Sequence, residues 1–462
     1  MTRLVRAECF ILHSGGGAIE MVKRRRVTCT VAMALIVVGT GCATMDGAPT
    51  PRDVDEAIRA RTAAAGIRLD SQETLPPDVN IADGLTQEEA VAVALWNSPS
   101  FQATLTDLGI ARAELADAGL LRNPIFSLLF PVGPKQLEFT LQYPFEVLWQ
   151  RPARVDAARV NAQAIGQRLV WDALSLVAQV RTAHVDAITA DRRLALATQN
   201  AELTRRLADI TDARLRAGDI SDLEARAPRT DASRTDVVRR AVQHDRNLAR
   251  LTLAALLGLD QAPTQLQPQP SAAYDARPCP VDDGRLKDAL ASRPDVRAAE
   301  LTIESAAARA RWERARAFTL IGLLDANGEG REGFEIGPGV NVDIPVFNRN
   351  QGGTSRATVE IERASRLYAL ARANVIADVR SAGVRVDQAQ EALEAWSNDI
   401  VPSLVTEQRQ AENAYSAGEV PLFNVLEVSR RLVDSRMRAL DAEADLFRAR
   451  ISLERALGRY CQ

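Results

Sequence analysis

The strongest constraint on this fold is an internal duplication. Ala94-Leu95-Trp96-Asn97-Ser98-Pro99 returns as Ala289-Leu290-Ala291-Ser292-Arg293-Pro294 about 195 residues later, and Tyr143-Pro144-Phe145 as Ile344-Pro345-Val346 about 201 later. Arg216-Ala217-Gly218-Asp219-Ile220 returns as Ser416-Ala417-Gly418-Glu419-Val420, and Leu256-Leu257-Gly258 as Ala456-Leu457-Gly458, both about 200 later. Each match is short, but four in one order at nearly one offset mark a repeat. The halves span 85–260 and 286–458. Between them 261–285 carries Pro263, Pro268, Pro270, Pro278 and Pro280, a density that reads as an extended linker.

Both halves have the same internal order. A helix of about 30 residues (near 86–121 and 286–317) leads into a short non-helical stretch (123–146 and 319–348). A very long helical stretch follows (152–216 and 354–416), then a glycine turn and a last helix (220–257 and 420–457). About 65 residues at ~1.5 Å each make a rod approaching ~100 Å. Aromatics are only 5% of the chain, lean for several compact cores, whereas Ala, Leu, Arg and acids suit long helices. The first rod carries two apolar stripes. One is Leu176, Val180, Ala183, Ala187, Ala190 and Leu194; the other is Val170, Leu174, Val177, His184 and Ile188. Two seams on one rod suit a helix with a neighbour on each side, as in a ring of helices. A single broad buried face is the other reading. His184 is expected as an interfacial residue.

The non-helical stretches alternate. Leu137, Phe139, Leu141 and Tyr143 fall on one face of a strand; Gln136, Glu138, Thr140 and Gln142 fall on the other. Pro131-Val132-Gly133-Pro134 turns this strand back onto Ile125–Phe130. In the second half Val340, Val342 and Ile344 alternate with Asn341 and Asp343, and Thr319–Leu324 is the expected partner across Asn327–Gly333. Four such strands suit a tilted membrane crossing, but four cannot close a barrel. Three copies of four give twelve. A soluble edge hairpin is the competing reading.

Lys23-Arg24-Arg25-Arg26, the apolar run Val27–Val38 and Gly39-Thr40-Gly41-Cys42 make an export segment over 1–41, with Met21 the more natural start. The apolar run is too short to span a bilayer as a helix, which takes roughly 20 residues. The small-small-Cys ending resembles a bacterial lipobox. That resemblance implies Cys42 as the lipidated residue, and Ala43 after it implies an outer-membrane address. Residues 42–84 then form a tether with a short helix near Val54–Ala65, and 459–462 a tail. A net charge of -3 gives no basic excess for nucleic acid. No metal-ligand cluster, phosphate loop or nucleophile–base pairing is present in the sequence pattern, so neither enzyme nor cofactor is expected.

The whole pattern resembles the outer-membrane factor (TolC-like) family, the exit ducts of tripartite efflux pumps and type I secretion systems, over 85–458. Its most specific segment is Asp343-Ile344-Pro345-Val346-Phe347-Asn348-Arg349-Asn350-Gln351-Gly352, which looks like the strand-to-helix junction of the heavy-metal (cobalt-zinc-cadmium) branch. The resemblance implies a mainly α fold with a small membrane β part: a homotrimer with an α-helical barrel and a shared 12-stranded β-barrel. It implies a periplasmic adaptor protein, an inner-membrane pump and outer membrane lipid as partners. Glu138, Gln142, Asn341 and Asp343 would face the lumen. Gly218 and Gly418 would be adaptor-docking tips, with Arg214, Arg216 and Asp219 as gate candidates. Asp219 and Glu419 are expected at the start of the next helix. A lipid-anchored adaptor or a structural coiled-coil envelope protein are the readings from other classes. Cys279 and Cys461, the two thiols left after the export segment and Cys42, are the expected disulfide pair in an oxidising periplasm.

Overall fold

The computed structural model describes residues 47–62, 66–67, 75–76, 79–130, 137–259, 266–270, 282–330 and 333–460. Cys42, Cys279 and Cys461 lie outside these residues, so the lipid anchor and the disulfide both fall beyond what is described. The chain divides into two compact units. One, a sheet unit, contains Ala116–Arg151 and Thr319–Asp343; the other, a helical unit, contains Gly47–Leu115, Pro152–Phe318 and Ile344–Gln462.

A short helix, α1 (Pro51–Thr62), precedes the repeats. The single opening helix expected in each repeat is in fact two. The first repeat has α2 (Gln87–Asn97) and α3 (Pro99–Gly119); the second has α6 (Asp283–Ser292) and α7 (Pro294–Ala315). Proline explains the break. It disfavours helical geometry in the residue before it, and Ser98 and Arg293 turn out to ψ 119° and 131°. Pro99 and Pro294 then start the next helix, where a missing N–H costs nothing.

The first long rod is α4 (Val147–Ala217), 71 residues, which at ~1.5 Å each is roughly 105 Å. It begins earlier than the alternation suggested, and Pro152 lies inside it. The last helices begin at Asp222 and Leu422, as α5 (Asp222–Leu257) and α10 (Leu422–Leu457). The second rod is interrupted. α8 (Gln351–Glu394) passes through a π-helical turn at Ala395–Ile400 into α9 (Val401–Ser416). Pro402 cannot donate to the carbonyl four residues back, and the ladder widens just before it, with the Val401 N–H reaching the Trp396 carbonyl. Beside this turn is a cavity of about 660 Å³ whose lining includes Trp396, Arg438 and Asp441.

In the helical unit, α4 packs Leu176, Val177, Val180 and Ala187 against Val93 and Leu95 of α2, Phe101 and Leu108 of α3, and Leu253 and Leu257 of α5. Val170 belongs to the same cluster, so the two stripes read in the sequence serve one wide core instead of one neighbour each. The second neighbour is α10, met by Ala178 and Val185. Ion pairs follow that seam: Asp186 with Arg448 at 2.6 Å, Arg192 with Glu443 at 3.0 Å, Arg193 with Asp441, and Arg181 with Glu454. His184 is fully buried and its Nε2 meets the Leu85 carbonyl at 2.9 Å. Burial pushes its pKa below the ordinary histidine value, which keeps the ring neutral and Nε2–H the donor. The second repeat repeats the scheme: Val296 of α7, Val375, Val379 and Val386 of α8, and Leu446 and Leu453 of α10 form its core.

Each repeat closes at its last glycine. Gly258 and Gly458 adopt φ 66° and 70°, the left-handed cap that glycine reaches without steric cost. In the first repeat Asn97 donates from Nδ2 to the Gly258 carbonyl at 2.8 Å, and a Cβ on Gly258 would stand 2.6 Å from the Asn97 carbonyl. In the second repeat Arg293 takes this place. It is 1% exposed, donates to Asp295 at 2.7 Å, to Asp378 at 3.2 Å and to the Ala456 carbonyl at 3.0 Å, and stacks on Trp171 at 4.3 Å. Removing one partner of a buried charge network leaves the others unpaired. Arg293→Ala should therefore destabilise the helical unit by roughly 3–5 kcal/mol, and Arg293→Lys by less, since it keeps the charge but loses the planar fork. Thermal unfolding in detergent, with each variant compared with the native chain, checks the order.

Candidate pore strands and helix-hairpin tips

Among the described residues the sheet unit holds four antiparallel strands in the order β1-β2-β3-β4: β1 (Ile125–Leu129), β2 (Glu138–Pro144), β3 (Leu320–Gly330) and β4 (Gly333–Val342). Strands β3 and β4 run further than the alternation indicated, pairing out to Gly330 and Gly333 with a register shift after Asn327. Each hairpin comes from one repeat, and β2 pairs with β3 to join them.

Register fixes the faces, because side chains alternate with period two. Glu138 is opposite Asn327, Thr140 opposite Asp325, and Gln142 opposite Leu323. Asn341 is opposite Ile321, the partner of Pro144. Glu138, Gln142 and Asn341 therefore share one face, and Thr140 and Asp325 on it are joined by a 3.0 Å hydrogen bond. Asp343, one residue past β4, accepts from the Thr319 hydroxyl at 2.5 Å. The opposite face carries Phe126, Leu128, Phe139, Leu141, Leu324, Ile336, Val340 and Val342. Phe126 is 62% and Val340 70% exposed, and the Phe126 and Phe139 rings lie 6.2 Å apart. Asp325 was not singled out in the sequence, although Asp325 and Asn327 continue the alternation of this strand. β1 departs from the pattern, since Ile125 and Leu129 lie with Ser127 on the more polar face.

The strand-to-helix junctions differ between repeats. After β2, the Phe145 N–H donates to the Leu320 carbonyl at 2.8 Å, and the Phe145 ring fills the space that a Cβ on Gly322 would enter. After β4, Val346 N–H closes a tight turn on the Ile344 carbonyl at 2.8 Å, leaving Ile344 80% and Phe347 93% exposed. The asparagine-rich turn then has a specific task. Asn350 adopts φ 55°, and its Nδ2 donates to the Glu313 carbonyl at 2.8 Å and carboxylate at 2.7 Å, tying the start of α8 to the end of α7. Gly353 leaves room for this clamp, since a Cβ there would lie 2.5 Å from the Asn350 side-chain Oδ1 and 2.6 Å from Glu313 Oε2.

At the tips, Gly218 and Gly418 have φ 83° and 78°. Asp219 N–H reaches the Arg214 carbonyl at 3.0 Å and Glu419 N–H the Ala414 carbonyl at 2.9 Å, closing both helices in the same way. Asp219 and Glu419 belong to these turns. They do not start the next helix, contrary to expectation, because Ser221 and Pro421 are the N-caps. Ser221 and Glu224 form a capping box, with the Ser221 N–H donating to Glu224 Oε2 at 2.8 Å, so Asp222 and Glu224 are the first-turn acids. That Ser-x-x-Glu pattern was legible beforehand. Arg214 reaches across to the Tyr415 hydroxyl at 3.4 Å, linking the two tips, whereas Arg216 turns back to the Asp212 carbonyl on its own helix at 3.2 Å. Among the described residues no group of three His, Cys, Asp or Glu is placed to hold a metal ion.

Residues 286–459 match the outer membrane efflux protein family. The chain is 24% identical over 384 residues to the cobalt-zinc-cadmium resistance protein CzcC of Cupriavidus metallidurans, across 82% of this chain and 91% of that one. It is 27% identical over 379 residues to the nickel-cobalt-cadmium resistance protein NccC of Alcaligenes xylosoxydans xylosoxydans, across 79% and 85%. Among solved structures, the outer membrane channel CmeC of Campylobacter jejuni aligns with a TM-score of 0.70 at 14% identity, over 85% of this chain and 90% of that chain. At that identity the likeness concerns the fold.

Of the junction residues, Asn350 carries the most. Asn350→Ala loses both bonds to Glu313 and keeps a side chain in the left-handed region, and should cost about 1–3 kcal/mol. Asn350→Gly removes the backbone strain and should recover part of that loss, which thermal melting of the three proteins would show.

Proposed function

We propose that the chain, whose residues 286–459 match the outer membrane efflux protein family, is the outer-membrane exit duct of a tripartite efflux pump. The observation that carries the reading is the sheet. It has one face with Glu138, Thr140, Gln142, Asp325 and Asn341, an exposed apolar opposite face, and outer strands β1 and β4 that each pair on one side only among the described residues. Such a sheet is not viable in lipid until its edges are closed. Three copies of four strands give the twelve of a barrel whose polar face lines water and whose apolar face meets acyl chains. Glu138, Gln142, Asn341 and Asp343 then line the lumen. The duct is passive; the family is one of channels, and the reading assigns the chain no chemistry.

The partners follow from the same reading. A periplasmic adaptor docks at the Gly218 and Gly418 tips and connects the duct to an inner-membrane pump. Arg214, whose contact with Tyr415 joins the tips, is the best placed of the three gate candidates. The cargo is a transition-metal cation, the class named for both CzcC and NccC. Deleting the gene should lower tolerance to cobalt, zinc, cadmium or nickel, and the restored protein should run as a heat-modifiable trimer from outer-membrane fractions. Unchanged tolerance to all four metals would remove the cargo assignment; absence from those fractions would remove the duct.

Cys42 is the anchor. Of the tether, Gly47 and Pro49 meet α4, where Gln163 donates to the Gly47 carbonyl at 3.1 Å and Pro49 sits over Gly166. Cys42→Ser should abolish palmitate labelling of the mature protein. Labelling that persists would exclude acylation at this residue.

A further inference from the structure

The cavity beside the π-helical turn lies between α8 and α10, where the core seam of the second repeat changes residue type. Val375, Val379 and Val386 fill the space against Leu446 and Leu453. Ala389, Ala392, Ala442 and Ala449 line the cavity and leave about 660 Å³ open. That is the size of a small-molecule pocket, which runs roughly 300–1,000 Å³. The turn at Ala395–Ile400 brings Trp396 into the lining. Turns of this kind occur frequently at functional sites.

The charges in the lining are unevenly paired. Arg448 is held between Asp186 and Asp445, each at 2.6 Å, and Asp441 is taken by Arg193. Arg385 and Arg438 also line the cavity, and neither has an ion pair or hydrogen bond among the described residues. Arg438 lies against the Trp396 ring, 5.6 Å from its centroid. Contact with an indole face stabilises the cation and leaves its N–H donors unused. The two guanidinium groups belong to opposite ends of the cavity. Arg385 precedes Trp396 on α8 by roughly 16 Å of helix at ~1.5 Å per residue, whereas Arg438 of α10 is at the Trp396 end.

We propose that this cavity binds an elongated organic dianion with a flat apolar body, of which an aromatic dicarboxylate is the simplest form. One carboxylate takes Arg438 beside Trp396, the other takes Arg385, and the body lies over the alanines. A carboxylate presents two oxygens to the planar guanidinium fork, and short side chains admit a flat ring that can also stack on the indole. A ligand with one acid group would serve one arginine and leave the other bare. Because Arg385 is on α8 and Arg438 on α10, the dianion joins the two helices and stabilises them by mass action. Its charge is opposite to that of the metal cations proposed as cargo, so the site stands apart from the route of that cargo and neither reading depends on the other.

The para,para′ dicarboxylate of biphenyl and the para monocarboxylate, titrated into the full-length protein in a non-ionic detergent, test the site. By calorimetry the diacid should bind about tenfold more tightly than the monoacid, the worth of one further charge-assisted contact. It should also quench part of the tryptophan fluorescence and raise the melting temperature. Arg385 and Arg438 are both exposed, so Arg385→Gln and Arg438→Gln should leave the unliganded melt unchanged. Each should remove the tenfold preference for the diacid. Trp396→Phe should remove the quenching and keep the preference. No heat and no quenching with the diacid on the native protein would overturn the site. Equal affinity for the two acids, or a preference that survives either arginine substitution, would overturn the two-ended arrangement. Metal tolerance and outer-membrane fractionation, which decide the duct, are read separately from all of these.

Discussion

Each repeat is held shut by a left-handed glycine packed against the chain that leads into a proline: Asn97, two residues before Pro99, and Arg293, just before Pro294. That closure fixes the end of the last helix of each repeat against the start of the first, beside the apolar contacts the two helices already share. Gly258 admits Asn97 and Gly458 admits Arg293 to a space that any Cβ would fill. The two solutions differ in physics. Asn97 spends a neutral amide on a carbonyl, whereas Arg293 draws Asp295, Asp378, the end of α10 and Trp171 of the first repeat onto one guanidinium. The second closure thus also ties the repeats to each other, which the first does not.

Much of this architecture was legible in the sequence. The repeat, the long rods and the glycine turns follow from offset, periodicity and the steric freedom of glycine. What was missed has a common cause. Ser98-Pro99 and Arg293-Pro294 were visible as repeat markers, but apolar periodicity continues across both, and only the backbone bias before proline ends the helix there. The two stripes on α4 were also real, yet spacing alone does not say whether adjacent stripes serve two neighbours or one wide core. The seam to α10 is carried by Ala178, Val185 and ion pairs, a mixture that no apolar pattern detects.

The candidate site was partly legible for the same reason. Alternation placed Glu138 and Gln142 together on one side of β2, and Asn341 on the side of β4 away from Val340 and Val342, before any register was known, because parity within a strand is a property of sequence. Pairing is not. Asp325 became part of that face only through its position opposite Thr140. The role of Asn350 was likewise hidden: the turn was recognisable as a motif, but its clamp on Glu313 joins residues from helices on either side of a hairpin.

The π-helical turn at Ala395–Ile400 bears on how the two copies can diverge. The core seam of α8 runs Val375, Val379, Ala382, Val386, Ala389, at alternating steps of four and three. On a straight helix such a seam drifts by ~20° per heptad. One extra residue in the ladder turns everything beyond it by about 100°, a step set by 3.6 residues per turn. A rod can therefore absorb a one-residue change in length as a rotation about its own axis, and its hydrogen bonds continue. A strand has no such freedom, since the same change exchanges its two faces. Insertions and deletions accumulated by a duplicated gene are thus tolerated along the rods, whereas in the sheet the register shift lies at the far end of the β3–β4 hairpin, beyond Asn327, so the tips can change orientation between copies while the paired strands keep theirs.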